Sequence, residues 1–161
     1  MIAQLKTIEL TKLIAPSFYG VHHALKTQQY THYWLKGGRG STKSSFISVE
    51  IILGIMADPN ADAMVVRKVK ITLRESVFEQ LAWAIEKLGV STYGRSRRQS
   101  LSLLICPPAR RYCSGGADDP KKIKSTKVFK GYFNYVWFKE VDEFGDMEEI
   151  RTINQTLLRG G

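Results

Sequence analysis

The spacing of apolar residues changes several times along the chain, and each change marks an element. Between Lys43 and Ala57, Phe46, Ile47, Val49, Ile51, Ile52, Leu53, Ile55 and Met56 leave almost no polar face. A helix apolar on nearly every side is buried against a sheet instead of lying on a surface, and Asp58-Pro59-Asn60 supplies its stop. Ala63-Met64-Val65-Val66 follows, a run of strand length that ends in Arg67-Lys68. From Leu73 to Leu88 the pattern turns amphipathic: Leu73, Val77, Leu81, Ala84, Ile85 and Leu88 recur at three- and four-residue spacing. Thr72 with Glu75 reads as the start of that helix and Gly89 as its end. Arg74, Glu75, Glu79 and Glu86 form its solvated face, and Trp83 reads as packing. A last helix is expected over Met147–Leu158, where Ile150, Ile153, Leu157 and Leu158 share a face and Gly160-Gly161 close it.

Two aromatic runs complete the pattern. His32-Tyr33-Trp34-Leu35 is a strand candidate placed just before a glycine-dense turn, and Tyr132 to Phe138 is another, running into a cluster of carboxylates. Strand, helix and strand in this order make a βαβ unit with parallel pairing, so the fold class is α/β, a mostly parallel sheet flanked by helices. Residues 1–31 form a lead-in, with a break at Pro16–Gly20 and a short helix near Val21–Leu25; residues 32–161 form the main domain. Within the main domain, Leu101–Cys106 and Arg110–Ser114 read as the two strands of a hairpin around Pro107-Pro108.

Composition adds a partner class. The net charge of +9 fits a polyanion such as nucleic acid or nucleotide, and the basic residues crowd between Arg95 and Lys130, where Asp118 and Asp119 are the only acids. Two cysteines, Cys106 and Cys113, the adjacent His22 and His23 and the isolated His32 suggest no zinc site. Nothing approaches the run of about 18 apolar residues that a membrane span needs, and the N-terminus lacks a signal pattern. The expectation is a soluble, intracellular protein with no membrane contact.

The glycine-dense turn carries the chemistry. Gly37-Gly38-Arg39-Gly40-Ser41-Thr42-Lys43-Ser44-Ser45 has the layout of a phosphate-binding P-loop, usually G-x-x-x-x-G-K-[S/T]. Gly37, Lys43 and Ser44 satisfy the motif, and Thr42 stands where the second Gly is expected. Glycines let backbone N–H groups curl round phosphate oxygens, and the following helix adds its positive end. Lys43 would neutralise phosphate charge and the Ser44 hydroxyl would ligate Mg²⁺. A P-loop enzyme also needs a strand ending in carboxylates: one for the metal shell and one to polarise water. Tyr135–Phe138 supply the apolar run, so Lys139 falls at the metal-shell position and Glu140 at the catalytic one. In a continuing strand Glu140 and Asp142 would share a face, making Asp142 a partial substitute. Gln28, Gln29 and Tyr30 are candidates for contact with the base.

Taken in order, these residues resemble the N-terminal ATPase part of the large terminase subunits of tailed phages. The resemblance rests on Tyr33 to Ser45, Val65-Val66-Arg67-Lys68, Ser76 to Gln80, Trp83-Ala84-Ile85, Gly116 to Ser125, Trp137 to Phe144 and Leu157 to Gly160. It implies a P-loop ATPase fold that binds ATP and Mg²⁺ through Gly37, Gly38, Arg39, Gly40, Ser41, Thr42, Lys43, Ser44 and Ser45. It gives Glu140, Lys43 and Arg39 catalytic roles and Ser44, Glu140 and Asp142 metal roles. It implies ATP-driven packaging of double-stranded DNA in the cytoplasm of a bacterial host. The partners would be a small terminase subunit, a portal protein and further copies in a ring. Members of the family carry an Arg inside the loop, matched by Arg39, and tolerate a residue other than Gly where Thr42 stands. They place an acid where this chain has Lys139, so impaired turnover is expected. They also carry a C-terminal nuclease domain, which is not expected in these residues. Arg110, Arg111, Arg151 and Arg159 all remain open as an arginine finger. Two other readings stand beside this one: another P-loop DNA motor, such as a helicase-like ATPase, and a truncated remnant that binds nucleotide or DNA without turnover.

Overall fold

The computed structural model describes residues 8–58, 61–67, 73–90, 115–116 and 133–158. The expected hairpin, the basic stretch from Arg95, both cysteines, the Thr72 start signal, Arg110, Arg111, Arg159 and the closing glycines lie outside them. Among the described residues, β1 (Asp62–Arg67) is the central strand of a three-stranded parallel sheet. It pairs on one side with the two-residue strand β2 (Gly115–Gly116) and on the other with β3 (Phe133–Phe138). Four α-helices accompany them among the described residues: α1 (Tyr19–Lys26), α2 (Lys43–Ala57), α3 (Leu73–Lys87) and α4 (Met147–Leu158). The α/β class with parallel pairing is as the patterning indicates, and α2 and α4 have the bounds it indicates.

Strand alternation sorts the core into two layers. Ala63 and Val65 of β1 and Trp137 of β3 join Val49, Ile52 and Ile55 of α2 and Val77, Leu81 and Ala84 of α3 on one face. Met64, Val66 and Phe133 join Phe144, Ile150, Ile153 and Leu157 on the other. β3 changes face parity once. Asp62 stands opposite Phe133 but Ala63 stands opposite Tyr135, so Asn134 is the extra residue of a bulge. Gly89 ends α3 at φ +61, and the Val90 N–H reaches back to the Ile85 carbonyl at 3.1 Å, the helix-closing bond that a left-handed residue allows.

The lead-in belongs to the same core. Phe18 stacks on Phe46 of α2, ring centroids 4.6 Å apart and planes 7° from parallel. Four residues along each helix, His22 Nδ1 lies 2.6 Å from Glu50 Oε1. One expectation fails here: His32–Lys36 does not form a strand. Its side chains are committed elsewhere. The Tyr33 hydroxyl donates to the Ala24 carbonyl at 2.9 Å and its ring meets Tyr30 edge-on, while Leu35 packs on the α2–α3 core. The segment is therefore tied to α1 and not to the sheet.

The entry into α2 is backbone-strained. Gly40 has φ +77 and Thr42 φ +56, and Thr42 accepts the first helical bond, from the Phe46 N–H at 2.9 Å. This explains the second glycine of the general motif: the position needs a left-handed residue, and a β-branched side chain is poorly suited to it. Thr42→Gly should therefore stabilise the chain by about 0.5–1 kcal/mol, the relief of left-handed strain less the entropy of a freer unfolded chain. Denaturant unfolding checks this, and a loss of stability would show that the threonine side chain holds the loop by another contact.

The close packing of α2 on the sheet depends on Gly54. A Cβ there would run into the Tyr135 ring and hydroxyl. Burial pushes the phenol pKa of Tyr135 up, and the carboxylates of Asp58 and Glu50 add to the shift. Gly54→Ala should cost about 1–3 kcal/mol through overpacking, although alanine is the better helix former by about 1 kcal/mol. In a Tyr135→Ala background the same change should become neutral or stabilising. A double-mutant cycle by thermal unfolding reads this reversal, and equal costs in both backgrounds would refute the contact.

Candidate functional site

The glycine-dense turn wraps the ammonium of Lys43, the first residue of α2. Lys43 Nζ donates to the carbonyl of Gly37, to that of Gly38 at 3.2 Å and to Ser41 Oγ at 2.7 Å. A side chain on Gly37 would crowd the same ammonium and Ser41, each 3.3 Å from the Cβ, so this glycine serves close approach. Gly38 and Gly40 have open space around them, and Arg39 is exposed at the turn's tip. The first turn of an α-helix leaves N–H groups without intrahelical partners, and here they belong to the lysine and serines of the motif. A lysine, a helix head and a glycine turn converge on one spot, which is what binding a phosphate requires.

Beside the turn lies a cleft of about 520 Å³ lined by Ser44, Ser45, Glu79, Gln80, Trp83 and Lys139. It joins the head of α2, one side of α3 and the end of β3. Gln80 Nε2 donates to Ser45 Oγ at 3.2 Å, and Ser48 Oγ donates to the Ser45 carbonyl at 2.9 Å, so the loop's last serine is held from two sides. Glu79 reads as solvated and Trp83 as packing, and Gln80 is given no role, although Ser76 to Gln80 and Trp83-Ala84-Ile85 are among the residues that carry the family resemblance. Their three- and four-residue spacing puts Trp83 on the same side of α3 as both.

Pairing sets the strand end. Lys139 donates its backbone N–H to the Val66 carbonyl at 2.8 Å, one rung beyond β3, and by alternation follows Tyr135 and Trp137 toward α2 and α3. It thus lines the cleft, half-buried, with Nζ 5.8 Å from the centroid of the Trp137 ring. Burial pushes the Lys139 pKa down, the Arg67 charge pushes it further and Glu140 partly offsets both. Arg67 is itself clamped by Glu143: Nη2 donates to Oε1 at 2.6 Å and Nε to Oε2 at 3.1 Å. That hydrogen-bonded carboxylate raises the Arg67 pKa against the opposing effect of burial.

The carboxylates do not continue the strand. β3 stops at Phe138, Glu140 is exposed at φ +55, and Val141–Glu143 form a 3₁₀ turn. Alternation therefore does not relate Glu140 to Asp142, and the shared face expected of them is not formed. Asp142 is exposed in the turn. Of the expected metal set, Ser44 alone lines the cleft, and no group of three or more acid, His or Cys side chains suited to a metal ion forms among the described residues. Gln28, Gln29 and Tyr30 are exposed just after α1, with Gln28 at φ +51, and none lines the cleft. Arg151 sits exposed on α4 in an ion pair with Glu148 at 3.5 Å. No helix among the described residues is long and apolar enough to cross a membrane.

Comparison with known proteins bears on this arrangement. The large terminase subunit of Bacillus phage SPP1 is 37% identical over 155 residues, 96% of this chain and 36% of that protein. The PBSX phage terminase large subunit of Bacillus subtilis strain 168 is 29% identical over 121 residues, 71% of this chain and 25% of that protein. The chain thus spans between a quarter and about a third of the curated relatives it matches. No solved structure matches it. Residues 29–160, from just before the aromatic run to the end of the last helix, match the family described as phage terminase large subunit, and the chain belongs to that family.

Proposed function

We propose that residues 32–161 form the nucleotide-binding part of a DNA-packaging ATPase with a P-loop NTPase fold, and that turnover in this chain is weak. The observation carrying the proposal is the Lys43 ammonium, held by Gly37, Gly38 and Ser41 at the head of α2, in a chain of the terminase family. ATP is the nucleotide that the family resemblance implies. Its phosphates would replace the carbonyls around Lys43, with Ser44, Ser45 and the loop N–H groups as further donors and Arg39 adding charge from the tip. Glu140, next to the cleft-lining Lys139, would orient the attacking water. The polyanionic partner would be double-stranded DNA, engaged through phosphate contacts by a chain of net charge +9. A small terminase subunit, a portal protein and a ring of copies would complete the motor.

The cleft does not fit Mg²⁺ well. Its lining offers two hydroxyls, one amide and the Glu79 carboxylate, with the Lys139 ammonium among them, whereas Mg²⁺ sites are built on carboxylates and phosphate oxygens. A cation about 4 Å from an ammonium is opposed by roughly 4 kcal/mol per unit charge at an effective dielectric near 20. That repulsion would be enough to slow hydrolysis by about 10³-fold, which favours the weak-turnover reading over a fast motor.

Two measurements test the proposal. Lys43→Ala should abolish ATP binding, because phosphate charge would then face only backbone dipoles; a mutant that binds as the wild type does would remove the loop from nucleotide recognition. In phosphate-release assays with duplex DNA, the wild type should be slow and Glu140→Gln should eliminate what remains. Release that persists unchanged in Glu140→Gln would place the water-orienting group elsewhere.

A further inference from the structure

A strand end that shows a cation to a phosphate site has a use of its own. Lys139 lines the same cleft as Ser44 and Ser45, while Lys43 sits on the loop side of those serines. One ammonium thus belongs to the loop before Ser44 and another, that of Lys139, to the cleft that Ser44 lines. Lys139 does not reach it by chance rotation of a surface side chain. Trp137 is buried in the α2–α3 core, Tyr135 packs against that core, and the Lys139 N–H is bonded to Val66, so the backbone fixes the direction of the side chain. The ring of Trp137 supports the ammonium from one side, and an ammonium carries three donors that can be shared with phosphate oxygens.

We propose that Lys139 is a direct ligand of the nucleotide's phosphates, standing in for a divalent cation, so that this chain binds a nucleoside triphosphate with little dependence on Mg²⁺. The inference rests on the nucleotide-site reading of the Lys43 loop. Desolvation and the Arg67 charge already depress the Lys139 pKa, and a polyanion placed in the cleft would hold the ammonium protonated. The geometry assigns Lys139 the place of the positive charge, not the place of a carboxylate that would hold one. A site so arranged retains nucleotide where a metal-dependent site would lose it.

The test is calorimetric titration of the full 161-residue chain with ATP, in excess Mg²⁺ and in EDTA. The wild-type Kd should differ by less than about threefold between the two conditions. Lys139→Gln should weaken binding in EDTA by at least about tenfold, Lys139→Arg should stay near wild type, and Lys139→Glu should bind only with Mg²⁺. Thermal unfolding midpoints verify that each variant is folded; should Lys139→Gln fail, the Arg and Glu variants carry the comparison. Wild-type binding that collapses in EDTA, or EDTA binding indifferent to Lys139→Gln, would overturn the inference while leaving the loop as a nucleotide site. Absence of wild-type binding under both conditions would overturn both readings.

Discussion

Parallel pairing of β1 with β3 is the constraint on which the rest of the structure depends. Parallel strands cannot be joined by a tight turn, so their ends collect groups that are far apart in the chain. Here the carboxyl ends bring Arg67, Lys139 and the turn carrying Glu143 together beside the head of α2. Every ladder bond that orders this edge is a backbone bond, but the charges it gathers are not interchangeable. Arg67 closes on Glu143 in a two-pronged contact, and Lys139 lies on the cleft side beside Trp137. The sheet therefore distributes charge as well as burying apolar area.

The second constraint is the all-round apolarity of α2. A helix with Phe46, Val49, Ile51, Ile52 and Ile55 all buried must be covered by a strand layer, a neighbouring helix and the lead-in at once. Tyr135 lies against Gly54, α3 packs alongside, and Phe18 and His22 engage Phe46 and Glu50. Rigid burial of the body lets the head of the helix tolerate a strained entry at Thr42. The cost of that left-handed residue is local, whereas the packing that offsets it extends along the whole helix.

Much of this was legible in the sequence. Periodicity gives α2, α3 and α4 because each helix declares its buried face through residues within itself. The aromatic run at His32–Leu35 has strand composition, but composition does not name a partner, and Tyr33 finds one in α1. The glycine-dense loop is legible as a run of residue types, whereas the left-handed state of Thr42 is a backbone fact that the motif encodes only as a missing glycine. Gln80 reaches Ser45 from another helix, a contact that no local spacing specifies. Alternation extends the acidic end of β3 as a continuing strand because it has no sign for where a strand stops; the left-handed Glu140 is what stops it.

The bulge at Asn134 has a consequence for the polarity of the cleft. Phe133 and Tyr135 are two residues apart, yet they serve opposite layers of the core, and only the extra residue between them allows this. In a regular strand that kept Phe133 where it is, every later side chain would exchange faces. Val136 and Phe138 would then turn toward α2 and α3, and Lys139 would turn away from Ser44. The bulge, five residues upstream, thus keeps an ammonium on the cleft side of the strand end.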